Sequence, residues 1–497
     1  MPNPVNSPLD ISAHNNLTEQ LRIIYDRREQ DIGPIVARYN RLLDLFRERF
    51  SNAAPVFVVR APGRVNLIGE HTDYNGYPVL PVAIDRDIVL IFTPTSDKSV
   101  QVANENPLFE PRIFPAELPM TPFVQGDWGN YVKAAIGGLL GDGVVGGKSA
   151  VGFRGLVGGN LPESSGLSSS SALTVASALA FLVVNRQMPE RIGLAETLAR
   201  AERFVGMEGG GMDQAVSLLG ESGAALKIDF FPLRVRSVPL PPNLVFVICN
   251  SLVRATKSSM ARDAYNRRVV ECRLAAALLS KAISEKTGRN ARTTVLADLA
   301  PDRLDIQATE VDRIAAHAIG ERPLSLAEAA RRLDEFPSDV LRKYCTLKDG
   351  QTQGEPPDGF KVWVRYRHVV SEARRVERAV VALQQADAHE FGRLMNESHA
   401  SCRDDYEVSC AELEELVSIA RRHGAIGARL TGAGFGGCTV NAVPLDLTKR
   451  FITGVNREYY DGYVKKRAQE QFTHKGNIQD ALFYCRAVQG AGVVHQV

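Results

Sequence analysis

The chain has no strong charge of one sign: 59 basic residues stand against 57 acidic ones, a net charge of +2. So small a bias argues against nucleic acid as the main partner. Paired cysteine motifs are also missing. Cys249, Cys272, Cys345, Cys402, Cys410, Cys438 and Cys485 are odd in number, scattered and never spaced as CxxC. Neither a disulfide framework nor a zinc site is indicated, and a reducing compartment fits. Long apolar runs are absent as well. The longest, Ala172–Val184, has 13 residues with a threonine and a serine inside it, short of the ~18 that span a bilayer. The opening MPNPVNSPLDISAHNNLTEQ has no basic stretch before an apolar core, so no secretory signal is read. The expectation is a soluble, cytoplasmic protein with no membrane partner. Its 44% hydrophobic and 23% charged residues are ordinary for a globular chain, and 497 residues suit two or three domains.

Residues 1–15, polar and rich in proline and asparagine, read as disordered. Leu17–Phe50 has helical spacing broken at Gly33-Pro34, so residues 1–48 are expected to be an N-terminal extension with helices. PVFVVRAPG reads as a strand ending in a turn, and VLPVAIDRDIVLIFTPT as extended segments. Helices are expected at about 129–140, 170–186 and 190–206. The proline-rich PLPPNL at 239–244 sets the expected boundary between a domain over 49–243 and a second over 244–497. Within the second, helices are expected at 262–285, 361–386, 388–397 and 410–423. Residues 286–360 read as an irregular polar insertion. GARLTGAGFGG then forms a glycine-rich turn into the strand CTVNAV.

Two familiar loop signatures fail here. GVVGGKSA resembles a Walker loop, but the pattern ending at Gly147-Lys148-Ser149 needs glycine where Asp142 stands. Gly432–Gly437 satisfies GxGxxG, yet a dinucleotide loop must open a helix and this one runs into a β-branched strand. A third stretch has the right context. In NLPESSGLSSSSALTVASALA, six serines fall in the eight positions Ser164–Ser171, at the mouth of an apolar helix. Free N–H groups and the helix dipole there make an anion site. Serine hydroxyls add donors for phosphate, and one can bind Mg²⁺. A cap needs one serine, not six. GEHTDYNG packs Glu70, His71, Asp73 and Asn75 into a turn between apolar strands, a donor and acceptor set suited to a sugar, although turns collect such residues anyway. In GMEGGGMDQAVSLLG, glycines let backbone approach a ligand before Asp213 enters a helix.

Together these blocks carry a family resemblance. RAPGRVNLIGEHTDYNGYPVLPVAI resembles the galactokinase signature nearly residue for residue. PESSGLSSSSA is similar to the nucleotide loop of the GHMP sugar and metabolite kinases, and LTGAGFGGCTV to their third glycine motif. The resemblance covers about residues 45–460. ERFVGMEGGGMDQ, NSLVRATKSS, RVVECRLAA, YRHVVSEARRV and SHASCRDDYEVSC look like the eukaryotic galactokinase and N-acetylgalactosamine kinase branch. The extension to about residue 48 is longer than usual, and THKGNIQDALFY stands where relatives often have a denser glycine run.

The resemblance implies an α+β, two-domain GHMP kinase fold: an N-terminal mixed-sheet domain and a C-terminal ferredoxin-like α/β sandwich, with the active site between them. It implies transfer of the ATP γ-phosphate, with Mg²⁺, to the anomeric hydroxyl of galactose, the first step of galactose catabolism. Asp213 and Arg64 match the catalytic pair. Arg64, Glu70, His71, Asp73, Gly211, Asp213 and Tyr265 match the sugar-side residues. Trp128, Pro162, Gly166, Leu167, Ser168, Ser169, Ser170, Ser171 and Ala172 match the nucleotide side, and Ser170 and Glu202 the magnesium ligands. N-acetylgalactosamine remains the alternative sugar; Tyr265, rather than phenylalanine, favours galactose. A non-catalytic galactose sensor is the other alternative.

Overall fold

The computed structural model describes residues 16–51, 55–162, 165–206, 209–253, 259–288, 293, 295–348, 350–467 and 481–496. The expected disorder of residues 1–15 and the whole THKGNIQD stretch lie outside these, as does Ser164. Twelve strands are described: β1 (Phe57–Asn66), β2 (Pro81–Pro94), β3 (Ser99–Asn104), β4 (Arg112–Pro115), β5 (Phe153–Gly159), β6 (Ala224–Asp229), β7 (Arg234–Pro239), β8 (Leu244–Asn250), β9 (Gly427–Thr431), β10 (Cys438–Pro444), β11 (Leu482–Cys485) and β12 (Gly492–Gln496). They form a six-stranded sheet in the order β12-β1-β2-β5-β3-β4, a four-stranded sheet β11-β8-β10-β9, and the hairpin β6-β7. The large sheet is mixed, because β3 runs parallel to β5 while β1, β2 and β5 alternate in direction.

Strand alternation explains how the large sheet is covered. Leu90 and Phe92 join a core with the helices Gly129–Gly141, Ser169–Val184 and Met212–Leu219. Val58, Val89 and Ile91, pointing the other way, pack on Leu21, Tyr25, Tyr39, Leu42 and Phe46 of the helices Leu17–Ile24 and Gly33–Arg49. The extension is therefore the second face of the domain. It is pinned by a buried charge cluster in which Asp87 accepts from the Tyr25 hydroxyl, from Arg38 at 2.7 Å and from Arg60 at 2.7 Å. Burial pushes the Asp87 carboxyl up, but Arg38 and Arg60 more than offset this and hold it below the usual range.

The four-stranded sheet is antiparallel throughout. Phe246, Ile248, Val440 and Ala442 face the main core with Phe391, Leu394 and Met395 of the helix Ala388–Asp404. Val247, Cys249 and Val443 face the helices Ala411–Arg422 and Thr448–Val455.

Two expectations are corrected. Residues 286–360 are not an irregular insertion: they include helices Pro301–Leu304, Ala308–Ile319, Leu326–Leu333 and Pro337–Val340. Val311, Ile314, Leu324, Val340 and Phe360 bury against the helices Ser259–Thr287 and Val362–Gln384. Each helix is short, so its apolar stripe repeats only once or twice and reads as polar sequence. The range 244–497 also does not stay in one half, since its last strand, β12, pairs with β1 in the large sheet. The expected helix 388–397 extends to Asp404. All seven cysteines are free, and no described helix is long and apolar enough to cross a membrane.

Candidate active site

A cavity of about 860 Å³ opens between the large sheet and the turn joining β9 to β10. Arg64, Glu70, His71, Asp73, Gly211, Asp213 and Tyr265 line it, and so do Trp128, Gly166, Ser168, Ser169, Ser170, Ser171 and Glu202. Pro162, Leu167 and Ala172 are not among its lining residues. Leu167 and Ala172 turn their side chains into the core, and the carbonyl of Leu167 accepts the Arg64 N–H at 3.2 Å. Pro162 supplies a carbonyl to the Ser165 hydroxyl at 2.7 Å.

Local backbone geometry aims the charged pair. β1 bulges between Pro62 and Arg64, which turns the arginine toward the cavity. Arg64 Nε and Nη2 reach one oxygen of Asp213 at 2.8 and 2.7 Å, and Nη1 donates to the Gly166 carbonyl. Asp213 sits in the first turn of Met212–Leu219, just after Gly211 at φ +107°. Its other oxygen accepts from Ser168. Ser168 precedes the helix Ser169–Val184 in a left-handed conformation and does not cap it. That helix carries no acidic residue in its own first turn, so the carboxylate at its positive end is Asp213, brought there from another helix through Ser168.

The Glu70–Asp73 turn is tied to its surroundings by hydrogen bonds. Asp73 accepts the Gly210 N–H at 3.1 Å, and burial together with the nearby charge of Asp213 raises its carboxyl to about 6. Burial and the neighbouring His368 push His71 down to about 3, so the ring is neutral. Its Nε2 lies 3.2 Å from the Ala433 carbonyl, which only accepts, so the proton is on Nε2. Nδ1 then accepts from Tyr74 at 3.0 Å, and Tyr406 lies 2.7 Å beyond. Tyr265 packs its ring 5.5 Å from His71 and 5.7 Å from Tyr74. At the far end, Trp128 packs edge-on to Phe109 and donates Nε1–H to the Glu110 carbonyl at 2.9 Å.

The β9–β10 turn closes over both loops. A Cβ on Gly432 would stand 2.6 Å from the Gly166 carbonyl, so only glycine permits this approach. Gly432 N–H also donates to Glu70 at 2.8 Å. Sequence reasoning missed Asn66, Arg429, Glu372, Tyr74 and Tyr406, which fix Gly69, Glu70 and His71 from behind. The one available signal was Arg429, a charge inside the otherwise apolar strand GARLT.

The galactokinase galactose-binding signature matches residues 44–94. The GHMP kinase N-terminal domain matches 130–221, and the GHMP kinase C-terminal domain matches 379–461. A galactokinase from Dictyostelium discoideum is 36% identical over 481 residues, covering 90% of this chain and 92% of its own. The chain belongs to the galactokinase family. One from Roseiflexus is 35% identical, covering 90% of this chain and 96% of its own. A crystal structure of Lactococcus lactis galactokinase complexed with galactose superposes with a TM-score of 0.69 at 26% identity, covering 91% of this chain and 99% of that one. The family's galactose-binding signature carries Arg64, Glu70, His71 and Asp73, its N-terminal domain the serine loop and Asp213, and its C-terminal domain the β9–β10 turn. The helical segment at 286–360 falls between the matched regions.

Proposed function

We propose that this chain transfers the γ-phosphate of ATP to the anomeric hydroxyl of galactose, giving galactose 1-phosphate and ADP. The observation that carries the reading is one carboxylate, Asp213, gripped by Arg64 and Ser168 in a cavity that also receives the Glu70–Asp73 turn and the serine-lined helix start. The hexose hydroxyls bind to Glu70, His71 and Asp73. The triphosphate lies against Ser168–Ser171 and the adenine near Trp128. Asp213 takes the proton of the C1 hydroxyl as its oxygen forms the new bond to phosphorus; the bond to the β-phosphate oxygen breaks and ADP leaves. Arg64 orients Asp213 and offsets charge on the transferring group.

The donor set fits magnesium. The Ser170 hydroxyl and Glu202 carboxylate share this cavity and are hard oxygen ligands, and Mg²⁺ is typically held by one or two carboxylates with phosphate oxygens and water. When bound, it would neutralise phosphate charge.

ADP release measured with galactose, N-acetylgalactosamine, glucose and arabinose tests the proposal. Galactose should give the highest kcat/KM. Preference for N-acetylgalactosamine would move the assignment to that sugar, and galactose binding with no ADP release would make the chain a sensor.

A further inference from the structure

Arg429 lies on β9 two residues before Thr431 ends the strand, and its side chain is completely buried. A guanidinium out of water costs several kcal/mol unless it is paired and hydrogen-bonded. Its partners lead to the sugar side. Nη1 donates to the Asn66 carbonyl at 3.2 Å and to Glu70 Oε1 at 3.4 Å. Nη2 faces Cys402 Sγ at 3.7 Å and Glu372 at 3.9 Å. Glu372 has its own cation, Arg375, at 2.7 Å, and also accepts the Gly69 N–H at 2.8 Å. Glu70 has no arginine bonded to it other than Arg429 among the described residues.

The same contacts staple the two halves together. Thr431 Oγ1 accepts from Asn66 N–H at 2.9 Å and donates back to the Asn66 carbonyl at 3.1 Å. Asn66 Nδ2 donates to Glu70 Oε2 at 3.1 Å, and Gly432 N–H to Oε1. Asn66 closes the strand that carries Arg64. Burial raises the Glu70 carboxyl above its usual range, and Arg429, Arg64, Asn66 and the Gly432 N–H oppose this without cancelling it.

We propose that Arg429 is a positioning residue for the sugar: it holds Glu70 from behind, so that its carboxyl group meets the hexose in one orientation set by the C-terminal half. The inference rests on the sugar-binding reading of Glu70. It makes Glu70 the point at which the β9–β10 turn is felt by the hexose. Arg429 itself touches no substrate.

A double-mutant cycle separates this role from a structural one. Arg429→Gln, Arg429→Lys and Glu70→Gln are made alone, and each Arg429 change is also combined with Glu70→Gln. Arg429→Gln should raise the galactose KM on the order of 10–100-fold, the range for losing a hydrogen bond to a charged group. The ATP KM should stay within about threefold, and Arg429→Lys should recover part of the loss. On the Glu70→Gln background, either Arg429 change should add less than about twofold to the galactose KM. Additive effects, or galactose and ATP KM rising together, overturn the proposal. If Arg429→Gln does not fold, Arg429→Lys with and without Glu70→Gln supplies the same cycle. The wild-type protein is the control: no galactose-dependent ADP release there refutes the kinase reading, whereas an active enzyme with an additive cycle refutes only the role of Arg429.

Discussion

Replacing Asp213 with asparagine keeps the size and planar shape of the side chain and removes its charge. Three contacts frame the expected outcome: Arg64 at 2.8 and 2.7 Å on one oxygen and Ser168 on the other. The Arg64 side chain is 7% exposed and that of Asp213 26%, so the pair is far less screened than a surface ion pair. An amide can still accept from Arg64 or Ser168, and the loops should stay in place. What is lost is the acceptor for the sugar C1 proton, which is worth roughly 10²–10⁴ in rate, or about 3–5 kcal/mol of barrier. The unpaired guanidinium remains beside the phosphates, so nucleotide affinity should hold or tighten. The assay is coupled ADP release over hours for kcat, with calorimetric titration of galactose for binding. The expected result is a kcat lowered by that factor, with galactose affinity within about fivefold of wild type. A kcat within about threefold of wild type would refute the proton-acceptor role. Loss of galactose binding with unchanged kcat at saturation would reassign Asp213 to the ground-state sugar site.

Gly432→Ala should weaken ATP and galactose together and lower Tm, because the added Cβ meets the Gly166 carbonyl at 2.6 Å and the backbone there has φ +87°; both KM values and a melting curve check this. Asp87→Asn leaves Arg60 fully buried beside a neutral group, which should cost about 3–5 kcal/mol in a denaturant titration. The Asp87 carboxyl lies below its usual range in the fold, so its contribution is present above the unfolded value near ~3.9 and lost as pH falls further. The deficit of the variant should thus be constant from about pH 5 to 8 and shrink below about pH 4. Asp73, raised to about 6, gains its proton as pH falls through that value; the galactose KM should rise there in the wild type and lose that inflection in Asp73→Asn.

Much of the site was legible because it is built from short contiguous stretches. The serine run announced a helix mouth, since such a cluster ahead of alanines and leucines has a limited range of local structures. The turn at Glu70–Asp73 was visible as polar residues between two apolar strands. The residues behind the site were not visible, because they act across long sequence distances: Asn66 meets Thr431, and Glu70 meets Arg429 and Gly432. Leu167 and Ala172 are a different case. Both belong to the nucleotide stretch by position, but their side chains serve the core. In the fold, residues 286–360 escaped detection because four short helices bury only a few residues each. β12 escaped because a five-residue strand at the end of a chain says nothing of which sheet receives it.

In the proposed reaction this cavity moves phosphate from ATP to one particular hydroxyl of galactose. The most direct measurement is ³¹P and ¹H nuclear magnetic resonance of the protein with galactose, ATP and Mg²⁺, followed to completion. One new phosphate ester, coupled to the anomeric proton, should grow in step with ADP. Inorganic phosphate as the sole new product, or an ester on any other carbon, would contradict this reaction.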